Sequence, residues 1–487
     1  MLEELKKRSD LTRTENDAVA YRSTGSCCLD LFAVCGALRG RDEGAIIQKF
    51  ARAYAESPDT AMRILFYARD VREGLGERRF FRVALRYLAD HRPSSVVKNL
   101  SFIPRFGRYD DLLVLLGTKC QDKAVGYIRE ALSRDLAAVE AGREVSLLAK
   151  WLPSINTSSE ETRAQGKLLC RLLGMRESEY RKTLAKLRKR TGIVEDSMRR
   201  RRYDFDYSKL PSRAIFKYRR AMRCKDGKRY MSYINNVRAG RETMHTATLY
   251  PYDIVRSALL SEATNEEELI ALDTAWTCLP RHTNTRNAIA VVDGSLSMYE
   301  SPDNTIAPIT VAISLGIYFA ERSRGRFANH FITFSNRPAL VDIKGIDIYE
   351  RVQYCASYCA LANTNLESVF LLILKTALEN SLPQSELPET LYIISDMEFD
   401  SSISYDETIL DNVKKLYEKG GYTLPQVVYW NVASRGDHYP VRMNELGAVL
   451  VSGASPTLFS QAMSNDLDPN LMMQRVIGSA RYADIYA

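Results

Sequence analysis

Histidine is scarce: five in 487 residues, at His91, His245, His282, His330 and His438. None has a nucleophile or a second ligand at a useful spacing, so a His-activated Ser or Cys enzyme and a zinc hydrolase are not expected. The nine cysteines are odd in number and scattered, apart from Cys27-Cys28 and the Cys355/Cys359 pair. No zinc-type spacing with histidine occurs, so they read as reduced thiols of a cytoplasmic protein. The first ten residues, MLEELKKRSD, mix charges without an apolar core, and no secretory signal is expected there. The longest apolar segment, Ile306 to Ala320, is interrupted by Pro308, Thr310, Ser314 and Gly316 and is too short to span a bilayer. It is expected to form a buried helix, and no membrane partner is expected. Convincing strands are absent from the first 280 residues or so, as is any strict repeat.

What is present is enough apolar material (45%) for more than one core, with an ordinary 26% of charged residues. The net charge of +8 is unevenly placed. Between Arg181 and Arg229 stand 19 Lys/Arg and five Asp/Glu, a local +14 that leaves −6 on the rest of the chain. A basic region on an acidic body points to a polyanionic partner.

Helical periodicity dominates the first half. Ser57-Pro58 is a start signal, followed by Ala61, Ile64, Leu65 and Ala68 on one face. Phe81, Ala84, Leu85 and Leu88 repeat the pattern, and Arg92-Pro93-Ser94 and Leu210-Pro211-Ser212 punctuate further helices. Paired helices stacked as an irregular, curved HEAT-like array are expected over residues 1–283, able to close into a ring. From Asn287 strands alternate with helices: Ala288–Val292, Ala328–Phe334, Thr390–Ser395, Gln426–Trp430 and Ala448–Val451 are apolar strands, with helices at Ile306–Arg322, around Leu366–Ala377, at Tyr405–Lys419 and after Pro456. Residues 284–487 are therefore expected to form an α/β doubly wound domain.

In such a sheet, ligands collect at the carboxyl ends of the strands. Asp293 follows the first strand in VVDGSLSM, with Ser295 and Ser297 at alternate positions; Asp396 follows another strand, and Thr364 sits in the loop before Leu366. Carboxylates and hydroxyls without His or Cys suit a hard divalent cation, most simply Mg2+. The alternative is that each is a helix cap or a turn residue. The five resemble the metal-ion-dependent adhesion site of von Willebrand A domains: DxSxS, then a distant Thr, then a distant Asp. The resemblance implies that Asp293, Ser295, Ser297, Thr364 and Asp396 hold the cation, directly or through water, and leave one position for an acidic group on a protein partner. That family has Gly where Leu296 stands here.

Further stretches extend the resemblance: ARDVREGLGERR at 68–79, PRFGRYDDLL at 104–113, AKWLPS at 149–154, ISDMEFD at 394–400 and Val451-Ser452-Gly453. In combination they resemble a largely uncharacterised family joining a TROVE-like helical module to a von Willebrand A domain. Its architecture is similar to that of the Ro autoantigen proteins, whose helical ring binds noncoding and single-stranded RNA. No Ro residue is carried over. The residues suggest contacts of their own, because guanidinium groups meet phosphates and aromatics stack on unpaired bases. Arg72, Arg78 and Arg79, with Arg69, surround Gly74-Leu75-Gly76; Arg105 and Arg108 flank Phe106 and Tyr109; Lys150 precedes Trp151. Arg188, Lys189, Arg190 and the run Arg199, Arg200, Arg201, Arg202 follow, and Arg213, Lys217 and Arg220 share a helical face. The expected function is an RNA-binding scaffold with a Mg2+-dependent adhesion site. The alternative is a metal-dependent protein-interaction module without RNA. No enzyme activity is expected.

Overall fold

The structure, a computed structural model, describes all residues except 2–8, 261–264, 282–286, 301–305, 336, 360–363, 402–406 and 462–467. The 283/284 boundary, Ala362-Asn363 and the Tyr405 helix start lie outside the described residues.

The first half is helical, and its punctuation works as read. Pro58–Arg69 starts on Ser57 with proline in its first turn and buries Ala61, Ile64, Leu65 and Ala68. The Ser57 hydroxyl, however, donates to Thr60 Oγ1 at 2.8 Å instead of accepting a backbone N–H. Arg78–His91 buries Phe81, Ala84, Leu85 and Leu88, and packs on both Glu43–Glu56 and Pro58–Arg69. Pro93–Lys98 and Ser212–Arg238 begin at their prolines; the second is 27 residues long and kinks at Asp226. Residues 11–21, where the sequence carries no strand pattern, form an antiparallel hairpin, β1 (Leu11–Arg13) and β2 (Val19–Tyr21). Three-residue strands are too short to show alternation.

The second half is a six-stranded sheet: β3 (Ala288–Val292), β4 (His330–Thr333), β5 (Leu340–Asp342), β6 (Thr390–Ser395), β7 (Gln426–Asn431) and β8 (Ala448–Ser452), in the order β5-β4-β3-β6-β7-β8. All neighbours are parallel except the short edge strand β5, which was not anticipated. β3, β6, β7 and β8 are buried along their whole length, so they read as continuous apolar runs. The order reverses between β3 and β6, which opens a crevice at their carboxyl ends. Helix Pro308–Arg322 is the buried helix expected, with Pro308 to Ala320 all inaccessible. Among the described residues no helix is long and apolar enough to cross a membrane.

The halves share one apolar core. Helices Pro251–Leu260 and Glu266–Thr277 pack on Pro308–Arg322 and Ile348–Tyr358, and Trp276 Nε1 donates to Glu321 at 2.6 Å. After helix Cys27–Val34, Gly36 meets the end of β8: a Cβ there would lie 2.6 Å from the Ser452 carbonyl, so the two backbones touch only because no side chain intervenes. The carboxy-terminal segment returns to the helical half, where buried Asp70 accepts hydrogen bonds from Arg481 and Tyr482. A second, smaller core around Val194, Tyr207, Met222, Tyr230 and Ile234 supports the basic region as a lobe of its own.

Candidate functional site

Asp293, Ser295 and Ser297 follow β3 and Asp396 follows β6, at the carboxyl ends of the two strands, and Thr364 precedes helix Leu366–Glu379. Asp293 extends β3 by one more ladder bond, its N–H donating to the Ile394 carbonyl at 3.1 Å. That fixes the side chain at the strand mouth, fully buried. Its Oδ1 accepts the Ser295 N–H at 2.9 Å and its Oδ2 the Ser395 hydroxyl at 2.5 Å. Gly294 lets the turn graze the end of helix Ile348–Tyr358; a Cβ would sit 2.6 Å from the Cys359 carbonyl. Ser295 and Ser297 bring their hydroxyls to 3.0 Å of each other, as alternate spacing requires. Leu296 is 63% exposed, and its backbone is not left-handed, so this turn tolerates a side chain where the adhesion-site family has glycine.

Across the crevice, Asp396 is 1% exposed. Its Oδ1 accepts the Glu398 N–H at 3.2 Å, and its Oδ2 is buried with no hydrogen-bond partner among the described residues. The chain then turns through Met397 in the left-handed region (φ 72°), a conformation a long side chain adopts only under constraint. Thr364 donates to Asp400 at 2.6 Å. Burial raises the Asp293 carboxyl above its usual range, against the Ser395 and Ser295 hydrogen bonds, and the Asp400 charge adds to the rise. Burial, then the Asp293 charge, raises Asp396 to about 7, with the Ser297 hydroxyl pulling the other way. Two buried carboxylates, one raised by burial and by the charge of the other, stand beside the paired Ser295 and Ser297 hydroxyls, and oxygen groups of this kind suit a hard cation. Among the described residues no three His, Cys, Asp or Glu side chains converge as a metal set.

The raised Asp396 carboxyl yields a pH prediction. Folded Asp396 holds its proton more tightly than an unfolded carboxyl, so without a cation its contribution to stability falls as pH rises from about 4 to about 7. A cation must displace that proton, so its affinity rises over the approach to neutrality. Thermal melts from pH 5 to 8, with chelator and with Mg2+, should diverge as pH increases. Parallel curves would contradict it.

Several residues of the crevice escaped the sequence reading. Ser395 anchors Asp293. Glu398 is 1% exposed and bonded to His438 Nε2 at 2.9 Å. Burial raises its carboxyl, but the His438 bond and charge, the Glu15 N–H and Arg435 together outweigh that and hold it low. Asp400 is half-buried and accepts from Thr364. Asn16, from the hairpin, bonds Thr364. Such partners lie from 36 to 348 residues apart, and only the flanking pattern of strand and acid is visible locally.

The arginines of the helical half divide into those spent on the fold and those left over. Arg69 is buried against Asp111 at 2.8 Å. Arg78 pairs with Asp110 at 3.0 Å, and Arg79 turns to the carbonyls of Leu38, Arg39 and Arg41. Arg108 pairs with Asp110 and lies 4.1 Å above the Trp151 ring, while Lys150 reaches toward Glu195. Arg105 covers Phe102 and Phe106, and Phe106 is core, stacked on Tyr482, so it cannot receive a base. Arg188 is corrected from RNA contact to clamp: it donates to the Ala149 and Leu152 carbonyls and to Ser154, at 2.7–2.8 Å. Arg190 likewise donates to Gly142 and Arg143 carbonyls. Arg72 and Lys189 remain exposed.

The lobe itself is different. Arg199 and Arg200 are exposed and share one acid, Asp196, at 2.8 and 2.9 Å. Arg201 and Arg202 are exposed, with no ion pair among the described residues, beside half-buried Tyr203 and Phe205. On the following helix Arg213 pairs with Asp253 and Arg220 with Glu268, while Lys217 stays exposed over Tyr218. The local excess of charge is therefore thinned by Asp196, Asp253 and Glu268 but survives at 201, 202 and 217.

Residues 14–140 and 171–282 match one domain of unknown function (DUF2828), and residues 287–475 match another (DUF7788). An uncharacterized protein of Acanthamoeba polyphaga mimivirus is 28% identical over 519 residues, 96% of this chain and 87% of that one. Among solved structures, the Ro (RSR) protein of Deinococcus radiodurans superposes with a TM-score of 0.35 and 11% identity, over 94% of this chain and all of that one.

Proposed function

We propose that the protein is a Ro-like RNA-binding scaffold. Its helical half grips single-stranded or noncoding RNA through the basic lobe. Its α/β half, read as a von Willebrand A-type domain, carries a Mg2+-dependent adhesion site at Asp293, Ser295, Ser297, Thr364 and Asp396. The observation that carries the RNA reading is the exposed run Arg199–Arg202, in which Asp196 pairs with Arg199 and Arg200 and leaves Arg201 and Arg202 beside the rings of Tyr203 and Phe205. Phosphates would complete the neutralisation that Asp196 begins, and a base could settle on Tyr203 or Phe205. The cation would supply a fixed positive charge to which an acidic side chain of a partner could bind. The reading is one of binding, not catalysis. The nine unpaired thiols favour a reducing, cytoplasmic setting.

A second reading, cation-dependent protein capture without RNA, is favoured by the orphaned Asp396 Oδ2. One preparation separates the two. Protein purified at low salt should carry nucleic acid, seen as raised absorbance at 260 nm that ribonuclease removes and chelator does not. A preparation free of nucleic acid, losing an associated protein on chelation, would support the second reading and contradict the first.

A further inference from the structure

We propose that Asn16 and Asp400 are positioning residues for Thr364 in the cation site, so that the amino-terminal hairpin completes a site built mainly by the sheet some 280 residues later. The inference rests on the cation reading above. The hairpin tip adds to the segment that follows β6: Thr14 Oγ1 donates to the Phe399 carbonyl at 2.6 Å, the Glu15 N–H to Glu398 Oε2 at 2.8 Å, and the Ser401 N–H to the Asn16 carbonyl at 3.0 Å. Asp17 bridges Asp400. Arg435 ties the tip to the other side of the crevice, with Glu15 at 3.0 Å and Glu300, just past the DGSLS turn, at 3.2 Å.

Held this way, the Asn16 amide donates twice, to the Glu398 carbonyl at 2.8 Å and to Thr364 Oγ1 at 2.7 Å. The Thr364 hydroxyl gives its proton to Asp400 Oδ1 at 2.6 Å. A hydroxyl has one proton and two lone pairs. Asp400 takes the proton and Asn16 takes one lone pair, so the second lone pair is left with its direction set. Thr364 is 1% exposed, so water does not compete freely for it. A hydroxyl whose proton is drawn onto a carboxylate is also a better donor to a cation. Partners behind metal ligands are commonly worth about 10–100-fold in affinity.

The test is Mn2+ titration of the full-length protein by calorimetry. Asn16→Ala and Asp400→Asn should each raise the dissociation constant by about 10–100-fold, with the metal-free melting temperature within a few degrees of wild type. In a Thr364→Val background, Asn16→Ala should add nothing, because the hydroxyl it orients is gone. Wild-type affinity in both single variants, or an equal further loss in the Thr364→Val background, overturns the proposal while leaving the cation reading intact. Absence of Mn2+ binding by the wild type overturns the cation reading, and the proposal with it.

Discussion

Replacing Arg199, Arg200, Arg201 and Arg202 together by Glu is expected to remove most of the salt-sensitive affinity for single-stranded RNA. Each phosphate met on a single strand adds about 0.7 to the slope of log affinity against log salt, so four lost contacts take about 2.8 off it. Between ~50 and ~200 mM salt the wild type should therefore lose roughly 50-fold more affinity than the variant. The fold should survive, because all four side chains are exposed while the lobe stands on buried Val194, Tyr207, Met222 and Tyr230. Arg188→Ala offers the contrast. It cuts a clamp on the Ala149 and Leu152 carbonyls and Ser154, so its effect should appear in stability rather than in the salt slope. Fluorescence anisotropy of a labelled oligonucleotide at several salt concentrations measures both. Equal slopes for wild type and the quadruple variant would remove the lobe from the interface.

The largest stability effect is expected at Asp70. It is fully buried and accepts from Arg481 at 2.7 Å, from Tyr482 at 3.0 Å and from the Arg72 N–H at 3.0 Å. Asp70→Ala strands the buried Tyr482 hydroxyl and the Arg72 N–H where the carboxy-terminal segment meets the helical half, and leaves Arg481 paired with Glu73 alone. Leaving buried donors without an acceptor costs about 1–3 kcal/mol each, whereas Tyr482→Phe, which deletes one hydrogen bond, should cost only about 1 kcal/mol. Urea denaturation and limited proteolysis of the carboxy-terminal segment check this. A variant with unchanged urea midpoint and unchanged proteolysis would show that the ion pair does not hold the two halves together.

How much of this was legible in the sequence depended on whether the cause was local. β3, β6, β7 and β8 are buried on both faces, so their apolar runs announced them. Asp293 and Asp396 could be placed because each directly follows such a run. β5 is exposed at two of its three residues and left no pattern, and β1 and β2 are too short for one. Asn16 reaches Glu398 and Thr364 across 382 and 348 residues, a separation no window spans. Charge was legible but its partners were not. Arg79, Arg188 and Arg190 looked the same as Arg201 and Arg202, yet the first three satisfy backbone carbonyls that loops would otherwise leave unpaired. Phe106 looked like a stacking platform beside Arg105, and packing against Phe66 and Tyr482 decides otherwise.

The claim on which the functional account turns is that RNA lies along the lobe of residues 194–238. Ultraviolet crosslinking of the protein to single-stranded RNA, followed by mass spectrometry of the attached peptides, locates it directly. The account predicts crosslinks at Tyr203, Phe205 and the adjoining peptide of helix Ser212–Arg238. Crosslinks confined to the crevice of β3 and β6, or none at all, would contradict it.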